Sequence, residues 1–173
     1  MLYAGSFSKV LFPGLRLGYL VIPPELMETF SQANRRRNSG ASTLAQRAVT
    51  SFMADGHFVR HIRRMRGLYA ARRQALAEAL SAVFGDRVKV DLKPGGMHLI
   101  ARFANGVRDV ALAKRAQAAG LAVEALSSRA IAHPCGQGLL LGFTNIAEAD
   151  AKAMCRRLER AIGGDLKSHS NQP

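Results

Sequence analysis

The apolar positions of this chain change period along its length. Residues 17–22 read Leu-Gly-Tyr-Leu-Val-Ile and are closed by Pro23-Pro24, the pattern of a short buried strand. Pro24 and Glu25 then favour a helix start, proline in the first turn and glutamate at the positive end of the helix dipole. Leu26, Met27 and Phe30 carry its helical spacing, and it leaves at about residue 35 through Arg35-Arg36-Arg37-Asn38-Ser39-Gly40. Ser42 or Thr43 caps a second helix with Leu44, Ala45, Ala48, Val49, Phe52 and Met53 on its inner face, and Asp55-Gly56 ends it. Residues 57–84 form the longest predicted helix. Phe58, Ile62, Met65, Tyr69, Leu76, Leu80 and Val83 make its apolar stripe, and Arg60, Arg63, Arg64, Arg66, Arg72 and Arg73 cover the rest.

Past Gly85 the period drops to two. Val88-Lys89-Val90-Asp91-Leu92 alternates, Pro94-Gly95-Gly96 turns, and residues 97–103 return as an antiparallel partner. Asn105-Gly106 is a further turn before a helix over 107–119, stopped by Gly120. A strand over 121–126, a loop to Gly138, a strand over 139–143 and a helix over 147–162 complete the order, and the polar residues from Gly163 onward are expected to fray. There are no internal repeats.

Composition narrows the class. A chain of 173 residues with 48% hydrophobic content can bury a core of one domain or slightly more. The net charge of +13, from 25 Lys+Arg against 12 Asp+Glu, permits contact with nucleic acid or anionic surfaces without requiring it. Much of that excess lies on the long helix, where the arginines read as a solvated face or, more sharply, as a dimer contact or phosphate clamp. Cys135 and Cys155 are too few for a disulfide framework or a zinc site. The absence of a signal sequence and of any apolar run near ~20 residues leads to the expectation of a reduced, cytoplasmic protein.

The stretch from Gly5 to Tyr19 holds the candidate chemistry: Ser6, Ser8, Lys9 and Arg16 lie in a turn between apolar runs. A lysine amine attacks an aldehyde only when unprotonated, which a desolvated or positively biased site favours. Arginine supplies such bias and, with serine hydroxyls, the donors that a phosphate monoester requires. Pyridoxal phosphate carries both groups on one ring.

This spacing resembles the lysine segment of fold-type I pyridoxal-phosphate enzymes, the class I/II aminotransferases. The resemblance implies that Lys9 is the catalytic residue bonded to pyridoxal 5'-phosphate. Ser6 and Arg16 would hold the phosphate, Ser8 is a weaker candidate for it, and no metal is implied. The implied fold is α/β: the end of the large domain plus a small α+β C-terminal domain. Residues 1–68 would close the large domain and begin a connecting helix, 69–162 would form the small domain, and 163–173 a disordered tail. Fold-type I subunits are much longer, so the chain is expected to be the C-terminal portion of a larger protein, with Met1 an internal start or a gene boundary.

Three stretches, the first of them the lysine segment itself, are similar to MocR-type regulators of the GntR superfamily: residues 7–21, the run from Asp55-Gly56-His57-Phe58 through Tyr69-Ala70-Ala71-Arg72-Arg73, and Gly138-Leu139-Leu140-Leu141-Gly142-Phe143. These regulators fuse a winged helix-turn-helix to a dimeric aminotransferase-like sensor. The resemblance therefore implies an effector domain that binds a small amine or amino acid, with DNA contacted only through an upstream domain. It also places upstream the acidic partner of the pyridine nitrogen, the ring that stacks on the cofactor and the tyrosine on its phenolic oxygen. A transaminase would usually carry an arginine for the substrate carboxylate where Leu140 stands; Arg129 is a possible substitute, against a reading as a solvated loop residue. His57 and His61 have metal-ligand spacing without a third ligand and read as surface or cap residues. His98 and His133-Pro134-Cys135 are assigned no chemistry. The competing functions are a truncated free-standing aminotransferase of aromatic-amino-acid or 2-aminoadipate type, and a dimerisation remnant without cofactor chemistry.

Overall fold

A two-stranded hairpin opens the chain. In the computed structural model, which describes residues 1–37, 42–92, 95–103 and 107–168, β1 (Tyr3–Ser6) pairs antiparallel with β2 (Gly18–Val21). The register runs from Tyr3 opposite Val21 to Ser6 opposite Gly18, and a bond from the Phe7 amide to the Leu17 carbonyl, 3.0 Å, continues it. The sequence pattern predicts a buried β2, yet all four of its residues are exposed. A third strand or a second layer is what would cover them, and β1 is the only strand paired with β2 among the described residues. The inward residues are Phe7 and Leu17, just beyond the paired strands, which bury with Val49 against Leu11, Leu15 and Phe58.

The loop between the strands contains a 3-10 turn at Pro13–Leu15, and Arg16 follows it with φ 50 and ψ 33. After a second such turn at Pro24–Leu26 comes α1 (Met27–Arg37). The Ser42 hydroxyl accepts the Ala45 amide at 3.4 Å and caps α2 (Thr43–Ala54), as its sequence predicts. Of the inner face expected for α2, only Val49 is buried; Leu44 is 80% exposed and Met53 47%. Gly56, with φ +71, reverses the chain into α3 (His57–Phe84). The molecule divides into two units within this helix, Met1–Met65 and the residues from Arg66 onward.

The second unit has the larger core. β3 (Val88–Asp91), β4 (His98–Phe103), β5 (Val123–Ala125) and β6 (Leu139–Gly142) form an antiparallel sheet in the order β3-β4-β6-β5. The alternation predicted from sequence is visible in β6, where Leu139 and Leu141 are buried and Leu140 and Gly142 are partly exposed. With α4 (Asp109–Ala118), α5 (Ala151–Ser168) and the second half of α3, this sheet encloses Leu76, Leu80, Phe84, Leu99, Leu112, Phe143, Leu158 and Ile162. Each such side chain contributes roughly 1.5–3 kcal/mol through burial. α5 continues through Gly163 and Gly164 to Ser168, past the point where fraying is expected, because Leu166 is still buried on this core. The turns expected at Pro94 and at Asn105-Gly106, the exit at Asn38-Ser39-Gly40 and the last residues of the tail lie outside the described residues. Among the described residues no helix is long and apolar enough to cross a membrane, and no His, Cys, Asp and Glu cluster could hold a metal ion.

Candidate functional site

The hairpin sorts its side chains by alternation. Phe7 and Leu17 turn inward, while Ser6 and Arg16 beside them are exposed. Ser6 ends β1, and its hydroxyl oxygen accepts the Ser8 amide at 3.2 Å, which tightens the chain into the lysine turn. That turn is closed by the Leu11 amide bonding the Phe7 carbonyl at 2.8 Å, and Lys9 projects from it, exposed. Arg16 lies in the same loop, two residues before β2, so Ser6, Ser8, Lys9 and Arg16 all lie at one end of one hairpin. Arg16 is the sole non-glycine residue with positive φ among the described residues. A non-glycine residue in this left-handed region costs about 1 kcal/mol.

Aromatic packing fixes the hairpin behind these groups. The Tyr19 ring lies 5.3 Å from the Phe7 ring and 6.1 Å from that of Tyr3, centroid to centroid. It lies directly over Gly5: a Cβ there would come within 2.3 Å of the Tyr19 ring. On the same unit, an open hollow of about 1130 Å³ is lined by Gly5, Tyr19, Leu20, Phe30, Val49 and Met53, among others.

The first turns of α3 hold the lysine turn from beneath. Phe7 meets Phe58 edge to face, centroids 6.0 Å apart. One helical turn on, His61 Nε2 lies 2.9 Å from the Val10 carbonyl oxygen. A carbonyl only accepts, so Nε2 carries the proton. Phe52 of α2 stacks on His57 at 5.6 Å and meets His61 edge-on at 6.4 Å. The sequence places both histidines at the surface or in a cap. His57 is exposed and shares a 2.8 Å contact between Nδ1 and the Arg60 guanidinium. His61 differs: it is half-buried and bonds the backbone next to Lys9. Its position three residues after Phe58 is the signal that points to its partial burial, though not to its hydrogen bond.

In the second unit Leu140 stands in β6 between Ile100 and Glu124, on the face away from the core. Arg129 donates from Nε to the Glu124 carboxylate at 2.8 Å and from Nη2 to the same oxygen; both side chains are more than half exposed. Arg102 is tied to Asp91 at 2.9 Å and to the Gln137 carbonyl at 3.0 Å. No motif in the sequence marks Asp109, which is 1% exposed. Burial alone would raise its pKa, but bonds from the Ser127 hydroxyl and from the Ser127, Gly138 and Val110 amides outweigh that and hold it below the usual carboxylate value. An acidic residue in the first turn of a helix is its one visible signal.

Comparison with known proteins gives a consistent picture. The family model for class I and II aminotransferases matches residues 1–138. The probable rhizopine catabolism regulatory protein MocR of Rhizobium meliloti is 36% identical over 154 residues, 89% of this chain and 31% of that protein. Aromatic-amino-acid aminotransferase 1 of Thermococcus litoralis is 26% identical over 167 residues, 96% of this chain and 40% of that enzyme. The crystal structure of LysN, the alpha-aminoadipate aminotransferase of Thermus thermophilus, superposes with a TM-score of 0.83 at 28% identity. That match covers 96% of this chain and 42% of LysN, which was crystallised with N-(5'-phosphopyridoxyl)-L-leucine. The chain thus spans roughly a third of the length of the first curated relatives it matches, 31% to 36%.

Proposed function

The chain belongs to the class I and II aminotransferase family, and on that premise we propose that it is part of a pyridoxal-phosphate-binding, aminotransferase-like effector domain of a MocR/GntR-type transcriptional regulator. The observation that carries the cofactor half of this reading is the hairpin end that gathers Ser6, Ser8, Lys9 and Arg16. The donor set fits pyridoxal 5'-phosphate: an amine for the aldehyde, and hydroxyls and a guanidinium for the phosphate. Bound there, the cofactor supplies an electrophilic aldehyde and an electron-accepting ring.

The residues at the hairpin end have separate tasks in this proposal. Lys9 is the nucleophile, its backbone held by the bond from the Leu11 amide to the Phe7 carbonyl. Arg16 contributes fixed positive charge and a planar fork for phosphate oxygens, and Ser6 a hydroxyl donor. Phe7 and Leu17 contribute buried apolar backing behind the turn, and the Tyr19 ring packs on Phe7.

The regulator half rests on similarity to MocR across 89% of this chain. Leu140 favours it over an ordinary transaminase, since a leucine cannot grip a substrate carboxylate. In this reading the large domain ends and a small α+β domain begins along α3. The whole protein works as a cytoplasmic homodimer that senses a small amine or amino acid, and DNA is held by an upstream winged helix-turn-helix. The alternative, a free-standing aminotransferase, is favoured by the likeness to LysN.

Borohydride reduction of the chain with pyridoxal phosphate tests the cofactor site. The adduct is expected on the peptide bearing Lys9, and Lys9→Ala should abolish the visible band of the complex. An adduct elsewhere overturns the assignment. Reading the gene upstream of Met1 in frame separates the two functions: a winged helix-turn-helix supports the regulator, and direct continuation into a large domain with no such module supports the enzyme.

A further inference from the structure

We infer that His61 is a positioning residue for Lys9, setting the conformation of the turn from which the amine projects. The inference rests on the reading of Lys9 as the cofactor lysine.

Two contacts one helical turn apart on α3 flank the lysine. Phe7, two residues before Lys9, packs on Phe58, and the carbonyl of Val10, one residue after it, accepts from His61 Nε2 at 2.9 Å. The first contact is an edge-to-face ring pair two residues before the lysine, and it sets where the turn lies. The second is a directional hydrogen bond to the Val10–Leu11 peptide unit, whose N–H closes the lysine turn on the Phe7 carbonyl. It fixes the plane of that peptide and thereby the shape of the turn from which the lysine side chain leaves the backbone. The imidazole packs in turn against the Phe52 ring in an edge-type pair, centroids 6.4 Å apart. With Nε2 committed as a donor, the neutral ring is the Nε2–H tautomer. A bond between two half-exposed partners would be weak as a stabiliser of the fold, but it acts on the one turn whose geometry decides whether an amine is presented.

The test uses the whole chain with pyridoxal 5'-phosphate, borohydride trapping and peptide mapping over its six lysines, so Lys89, Lys93, Lys114, Lys152 and Lys167 serve as internal controls for Lys9. His61→Leu should lower the share of label on Lys9 at least about fivefold, the scale of one lost hydrogen bond. His61→Gln, which restores an N–H donor at similar reach, should recover it to within about twofold. Unchanged selectivity in His61→Leu, or no recovery in His61→Gln, overturns the proposal. Nitrogen NMR of the unsubstituted chain is a check that no folding defect can confound: the Nε2–H tautomer is expected, and Nδ1–H overturns it. If the unsubstituted chain shows no preference for Lys9, the cofactor reading fails. Exchange of the Leu11 amide then decides the positioning claim alone. It should quicken at least about fivefold in His61→Leu, and an unchanged rate overturns the proposal.

Discussion

Asp109 holds Ser127 twice: its carboxylate accepts the Ser127 amide at 2.8 Å on one oxygen and the Ser127 hydroxyl at 2.5 Å on the other. The Gly138 amide, at 3.0 Å, joins the first oxygen, so one buried side chain closes both ends of the loop between β5 and β6. Asp109→Asn keeps the shape but loses the charge of these bonds, and should lower stability by about 1.5–3 kcal/mol at neutral pH in a denaturant titration.

The same carboxylate makes an acid limb. Its folded pKa lies below the ordinary carboxylate value, so its contribution is complete above about pH 3.9 and is lost as pH falls through the folded pKa. Stability measured from about pH 6 downward should therefore drop less steeply in Asp109→Asn than in the unsubstituted chain. Parallel curves would show that the clasp does not couple to folding.

Arg16 separates stability from binding. At φ 50 a glycine is at ease, so Arg16→Gly should raise stability by up to about 1 kcal/mol. It should also weaken pyridoxal phosphate binding roughly ten- to hundred-fold, through loss of a charge-assisted pair of about 1.5–3 kcal/mol. Arg16→Lys should recover only part of the affinity. Thermal melts and a cofactor titration on the same samples read both, and unchanged affinity in both variants would make Arg16 structural.

The two thiols should react in sequence. Cys155 is 1% exposed and burial pushes its pKa up to about 11, whereas Cys135 is exposed. A chromogenic thiol reagent at about pH 8 should modify Cys135 promptly and Cys155 only on unfolding. Two fast thiols in the native chain would contradict the packing of α5.

The hairpin leaves Tyr3 52%, Leu20 55% and Val21 57% exposed, and exposed apolar strands associate. Sedimentation should show self-association that rises with concentration and falls in Leu20→Thr/Val21→Thr. Hydrogen exchange should be slow from the second half of α3 onward and fast before about residue 55. Uniform protection in a strictly monomeric sample would refute this.

Local periodicity discloses most of the second unit, because there the apolar stripes of its helices and the alternating positions of its strands are buried in one core. Both ends of the long helix are legible, since Gly56 and Gly85 bracket one uninterrupted stripe. The first unit is less legible. Leu20 and Val21 read as buried because apolar character records what a strand can pack against, whereas exposure depends on what is actually beside it. The cluster at the hairpin end is visible as spacing alone. The role of His61 is not, because its partner is a backbone carbonyl 51 residues away, and a carbonyl leaves no trace in side-chain pattern. Asp109 escapes for the same reason: most of its donors are amides.

Gly5 and Tyr19 are opposite one another in the hairpin register, and the tyrosine ring fills the space that a side chain at residue 5 would need. The two positions therefore cannot drift independently. Gly5→Ala alone evicts the ring and with it the packing on Phe7 behind the lysine turn. Tyr19→Ser alone loses that packing too, but it opens the room that an alanine at residue 5 requires. The double change should then cost less than the two single changes added together, a compensating pair separated by thirteen residues of chain. A strand position with no side chain of its own thus acts as half of a two-residue allele, and the order in which the halves change decides which intermediate chain keeps its hairpin.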